Sequence, residues 1–226
     1  MGKNSLFTAK IATVALNPSW QEYLASDKRG KHELTGSERR FETLRSLGVA
    51  TRSVLTDEHC RQAIEKMRAY FQPGKPIYSY FRALDRVTQG MGYSYERGEV
   101  AHLDLIQEAT DPTWSGIAPA ELVSLRALDL PFLHWEVENF PLVALVCNGR
   151  TVFDTVRSVL DGQTITTGTM ARVTWSAAVS RVGDRTVHIL GWNIPLARPT
   201  GLGSDGEKAL GQLLATHQRT TAPGTQ

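Results

Sequence analysis

Residues 10–20 read KIATVALNPSW, an apolar run from Ile11 to Leu16 that stops at Asn17-Pro18-Ser19. Pro18 has no backbone N–H to give to a neighbouring strand, so the extended segment must end there. A short apolar run bounded by turn residues reads as a buried strand. In an open α/β sheet, ligands bind just beyond the carboxyl ends of the strands, which makes Asn17 a candidate functional amide. Taken alone, Asn-Pro is equally an ordinary turn.

Three later segments follow the same plan. Residues 100–106 (VAHLDLI) run into the polar loop QEATDPTWSG, and residues 142–147 (LVALVC) run into Asn148-Gly149-Arg150. Residues 164–180 alternate and are rich in Thr and Val, and Gly183-Asp184 turns them as a hairpin into residues 186–192 (TVHILGW). That strand leads to the Pro- and Gly-rich loop NIPLARPTGLG at 193–203.

Between the strands, helical spacing and terminators predict helices at 37–47, 56–71, 76–88, 151–160 and 204–214. Another begins at Pro119 and is expected to end near Leu128, because Pro131 interrupts it. Residues 21–37 are polar and basic and read as a loop. The order predicts a three-layer α/β/α fold with a central, mostly parallel four-stranded sheet plus a β-hairpin extension. One domain over 1–218 and a disordered tail over 219–226 are expected. The loops after Leu16, Ile106, Cys147 and Trp192 should then share one sheet edge.

Composition narrows the chemistry. With 25 basic and 23 acidic residues among 226, the net charge of +2 neither demands nor excludes a polyanion. Cys60 and Cys147 lack metal-ligand or redox spacing, and the six histidines show no helical ligand pair, so no metal and no cofactor are expected. No apolar run is long enough for a membrane span and no signal peptide is legible, which predicts a cytoplasmic protein. The phosphate-binding GxxxxGK[ST], the dinucleotide GxGxxG and the GxSxG nucleophile elbow are all missing.

Taken together, the four strand ends resemble the uracil-DNA glycosylase superfamily, above all its mismatch-specific and single-strand-selective branch. ALNPS is similar to the first motif, VAHLDL to the second-strand segment, VCNGRTVF to the strand–Gly–basic–helix segment, and HILGWNIPLARPTGLG to the last strand and its loop. The resemblance implies a sheet of uracil-DNA glycosylase type and a monofunctional DNA glycosylase that flips its base out of the stack. It gives Asn17 the role of orienting the attacking water and Asn193 that of stabilising the departing base. Ile194 and Leu196 depart from the serines of the family's final loop, so phosphate contacts there would pass to Arg198.

Two departures bear on the base. Ser19 stands where the main uracil family has a Tyr that blocks substituents at pyrimidine carbon five, so a bulky group is admitted. Asp104 stands at or near the Asn that reads uracil, and an ionised carboxylate only accepts hydrogen bonds, which suits the amino group of cytosine. His102 is placed on the opposite side of the sheet. The expected substrate is a bulky 5-substituted cytosine such as glucosyl-hydroxymethylcytosine in phage DNA, bound by a monomer. The alternatives are a conventional uracil or mismatch repair glycosylase and a non-catalytic modified-DNA-binding relative. Trp20 is the first choice to stack on the base, ahead of Tyr93, Tyr95 and Trp114, while Lys28, Arg29, Lys31 and the pair Arg39-Arg40 are placed against phosphates.

Overall fold

A computed structural model describes residues 8–28, 30–71, 78–110, 114–196 and 200–220. In chain order they form β1 (Ile11–Ala15), a 3-10 turn at Trp20–Glu22, β2 (Leu24–Asp27), β3 (Gly30–Glu33), α1 (Asp57–Arg68), α2 (Ser79–Gly90) and β4 (Val100–Asp104). There follow α3 (Pro119–Asn139), β5 (Ala144–Asn148), α4 (Arg150–Val159), β6 (Gln163–Met170), β7 (Val173–Val182), β8 (Arg185–Trp192) and α5 (Gly203–Thr220). The sheet order is β4-β1-β5-β8-β7-β6. The first four strands are mutually parallel, and β7 and β6 continue the sheet antiparallel. The hairpin is thus no appendage to a four-stranded sheet but its fifth and sixth strands.

Strand β1 is buried along its whole length, as an apolar run flanked on both sides requires. Its Ala12 and Val14 pack with Leu133 and Val137 of α3 and with Val152, Phe153 and Val156 of α4. Ile11 packs on the other face with Phe81, Leu84 and Val87 of α2 and with Leu210 and Leu214 of α5. Helices therefore cover both faces, in three layers. Among the described residues no helix is long and apolar enough to cross a membrane.

Several expectations need correction. Helix α3 runs unbroken through Pro131. Proline removes a bond to the carbonyl four residues earlier, here Ala127, and both residues are exposed, so water takes that carbonyl. The far end of α3 is held by Arg185, whose guanidinium donates to the carbonyls of Val137, Glu138, Phe140 and Leu142 at 2.6–3.0 Å. Residues 37–47 form no α-helix. Side chains compete for the backbone there: the Thr43 N–H donates to Ser46 Oγ at 2.8 Å and the Ser46 N–H to Thr43 Oγ1 at 3.1 Å. The supposed loop at 21–37 contains the β2–β3 hairpin. Helix α1 forms behind a Thr56 cap, yet buries none of its residues, with Ile64 46% and Met67 57% exposed. The last helix extends to Thr220, past the expected start of the tail, and residues 221–226 lie outside the described residues.

Helices α2 and α5 cross at two glycines. A methyl group on Gly90 would overlap the Lys208 carbonyl oxygen, and one on Gly211 that of Val87. Gly211→Ala should therefore lower stability by about 1–3 kcal/mol, read as a reduced urea midpoint at unchanged slope.

Glu136, on the core side of α3, is 6% exposed, and its Oε2 has no hydrogen-bond partner. Burial, reinforced by the Asp104 charge, raises its pKa from 4.5 to about 8. The folded chain then holds a proton that the unfolded chain releases near 4.5, so stability falls as pH climbs from there to about 8. Thermal unfolding of Glu136→Gln should match the parent near pH 4.5 and exceed it at pH 8, by up to about 4 kcal/mol.

Candidate functional site

The chain steps from β1 outward to β4, then crosses to β5 on the other side of β1. Such a reversal opens a crevice between the loops that follow β1 and β5. Asn17 lies beyond the end of β1, and Asn148 is the last residue of β5.

The Asn17 amide is fixed by its nitrogen. Nδ2 donates to Thr110 Oγ1 at 2.9 Å and to the carbonyls of Pro18 at 3.2 Å and Glu108 at 3.5 Å. Its Oδ1 has no donor among the described residues, which leaves an acceptor. Asn193 is anchored the other way round: its Oδ1 accepts the Thr174 N–H of β7 at 2.9 Å. No described residue accepts from its Nδ2, which leaves a donor. The two amides end strands two positions apart in the sheet, about 10 Å.

Between them, Asn148 is consumed by structure. Its Nδ2 donates to the Tyr80 hydroxyl at 2.9 Å, while its Oδ1 accepts from Trp192 Nε1 at 3.2 Å and from the Leu196 N–H at 2.9 Å. The next residue, Gly149, has φ 113°, where a side chain is disfavoured and a Cβ would meet Pro195 Cγ at 3.0 Å.

Asp104 ends β4, its side chain 15% exposed. Its Oδ1 is buried without a hydrogen bond, 3.6 Å from His102 Nε2. His102 therefore faces the same side as Asp104, as residues two apart in a strand must, and the assignment to the opposite side is wrong. The ring of Phe81 stands 4.7 Å from the His102 ring. Glu22 completes the group of titratable side chains. Ser19 caps the turn that carries it, accepting from the Gln21 N–H at 3.3 Å, and Glu22 accepts from the Tyr70 hydroxyl. Burial raises the Glu22 pKa and Asp104 raises it further, against the lowering effects of Tyr70 and His102. Burial also keeps the phenols of Tyr70 and Tyr80 protonated. No group of three His, Cys, Asp or Glu among the described residues is arranged to hold a metal ion.

Other candidates are dispersed. Trp20 is half-buried under the Lys31 ammonium, 4.3 Å from its ring centre. Tyr95 is fully buried and bonded to Thr13, so it offers no face to a base. Tyr93 packs near α5, where Gln218 Nε2 reaches its hydroxyl at 3.5 Å, and Trp114 lies below Arg126 at 5.6 Å. Lys28 is exposed in the β2–β3 turn. Arg39 pairs with Glu42 at 3.3 Å, and Arg40 stands 4.9 Å over the Tyr78 ring. Arg29 and Arg198 lie outside the described residues.

Sequence reasoning missed Glu22, Tyr70, Tyr80 and Asn148. Ser19-Trp20-Gln21-Glu22 has the spacing of a capping box, which marks a turn with an acidic end, and Asn148 repeats the polar strand end seen at Asn17. Nothing in the sequence singles out the two tyrosines.

Asn148→Ala removes three hydrogen bonds, two of them buried, and strands Trp192 Nε1 and the Leu196 N–H. A loss of about 2–4 kcal/mol is expected, with a red shift of tryptophan emission as Trp192 becomes hydrated. No protein-family model matches this chain, and no curated protein matches it at a significant level.

Proposed function

We propose that the chain is a monofunctional DNA glycosylase of uracil-DNA glycosylase type. Its substrate would be a flipped, bulky 5-substituted cytosine such as glucosyl-hydroxymethylcytosine in phage DNA. The observation that carries this reading is the opposed anchoring of two amides at one sheet edge. Asn17 offers an acceptor and Asn193 a donor. Hydrolysis of an N-glycosidic bond needs that pairing. A hydrogen-bond acceptor must orient water towards the sugar carbon, and the base leaves with the electron pair of the broken bond, which a donor stabilises. Water supplies hydroxide to the sugar and its proton neutralises the base, leaving an abasic site.

Supporting features surround the pair. Four parallel strands ordered β4-β1-β5-β8, with helices on both faces, suit the fold that the resemblance implies. Asp104 turns its Oδ1 towards His102 and keeps its Oδ2 without a donor among the described residues, as expected of a group that accepts from an exocyclic amine. Ser19 is small and spends its hydroxyl on the Gln21 N–H, so no ring closes the space for a substituent. Lys28 and Lys31 on the hairpin after β1 give phosphates a positive surface.

The test is a duplex carrying one glucosylated hydroxymethylcytosine, incubated with the protein and then treated with alkali to cut abasic sites. Cleavage at that position is expected, with Asn17→Ala slower by about 10²–10³ while binding persists. Cleavage of a uracil duplex alone would make this a conventional repair enzyme. Tight binding with no cleavage of either duplex would make it a non-catalytic reader.

A further inference from the structure

A chain of polar contacts runs from Tyr95 through Thr13 and His102 towards Asp104. Thr13 and Tyr95 are fully buried, and the Tyr95 hydroxyl contacts Thr13 Oγ1. Thr13 Oγ1 lies 2.8 Å from His102 Nδ1, and His102 Nε2 lies 3.6 Å from Asp104 Oδ1. Burial holds the Tyr95 phenol protonated, so Tyr95 can act as the first donor. The remaining groups around the imidazole are Glu22 from the turn after β1 and Tyr80 and Phe81 from α2.

Thr13 Oγ1 also reaches the Ala101 carbonyl at 3.4 Å, so its hydrogen has two acceptors within reach and the contact with Asp104 selects the tautomer. Were the imidazole proton on Nδ1, the bare Nε2 would turn its lone pair towards a carboxylate oxygen that is shut off from water and has no other donor. With the proton on Nε2, the imidazole instead turns a hydrogen towards that oxygen. Tyr95 donates to Thr13, Thr13 donates to Nδ1, and Nε2 points its hydrogen at Asp104 Oδ1. The 3.6 Å separation is one that closes to a hydrogen bond when a ligand settles the carboxylate. Asp104 has its second oxygen, Oδ2, left over, and no described residue donates to it.

We propose that His102 is a positioning residue: held by Thr13 with its proton on Nε2, it occupies one oxygen of Asp104 and aims the other at the amino group of a cytosine-type base. The ligand half of this statement rests on the glycosylase reading given above. A carboxylate fixed in this way has only an acceptor to offer. It accepts from an exocyclic amine and repels the carbonyl oxygen at the same place on uracil. Selectivity between the two bases then depends on a threonine and a histidine that touch neither.

Long-range proton–nitrogen NMR on the full chain labelled in its histidines reads the tautomer directly, with His102 assigned by its absence in His102→Gln. The Nε2–H form is expected in the parent. Thr13→Val should shift His102 towards the Nδ1–H form and cut the preference for the glucosylated-cytosine duplex over the uracil duplex by about tenfold. Thr13→Ser, which keeps the hydroxyl, should retain both. An Nδ1–H imidazole in the parent would overturn the proposal, as would a Thr13→Val protein that keeps both tautomer and preference. If the tautomer and its shift appear as expected while neither duplex is cut, the glycosylase reading falls and the imidazole assignment stands.

Discussion

The side chain of Asn148 is the joint on which this sheet edge depends. It sits at the end of a strand buried along its whole length and spends all three of its described hydrogen bonds on other elements: α2 through Tyr80, β8 through Trp192, and the loop beyond β8 through Leu196. A carboxamide is one of few groups that can donate and accept at once, and in an interior of low dielectric each of those bonds is costly to lose. The joint also sets where Asn193 begins. With Trp192 and Leu196 pinned from one side and Thr174 bonded from the other, the Asn193 amide has little freedom to turn. Rigidity at that point is what a group needs if it is to meet charge that develops only as a bond breaks.

The surroundings of Asp104 are acidic and dry. Glu22 is buried beside it and burial drives that carboxyl towards its neutral form, while Glu136 behind the sheet is driven the same way. Like charges in one low-dielectric region disfavour one another, and the Asp104 charge adds to burial in raising both carboxyls. Aromatic rings from α2 and from the segments on either side of α1 close over this group: Phe81 stands against His102, and Tyr70 lies against Phe41 at 5.1 Å.

Much of the frame is legible in the sequence because buried parallel strands announce themselves. The runs ending at Leu16, Ile106, Cys147 and Trp192 are apolar, short and bounded by polar or turn residues, and they are the four parallel strands. What escapes is decided by contacts distant in sequence or by local rivalry. Pro131 argues for a helix end, but its freed carbonyl faces water and Arg185, far along the chain, secures the helix beyond it. Phe41, Leu44 and Leu47 carry helical spacing, yet the Thr43 and Ser46 side chains take the backbone for themselves. Asn17, Asp104 and Asn193 are found at strand ends by the same logic that finds the strands. Tyr70, in the turn after α1, and Tyr80, on α2, reach the site through packing that no local pattern encodes, and Glu22 is visible only as the end of a capped turn.

The glycine crossing of α2 and α5 bears on how the chain is made. Because Gly90 and Gly211 bring the two backbones into contact, α5 is a wall of the second core rather than a lid upon it, and Leu210 and Leu214 lie among the residues of α2 and β8. Until residues 203–220 have been synthesised, the α2 face of the sheet has no cover over Leu84, Val87 and Leu190. A nascent chain would therefore complete its α3–α4 face first and carry the apolar side chains of the other open to water and to chaperones. Leu210 and Leu214 thus complete the cover of the α2 face, a step that waits on α5 and not on the strands beneath it.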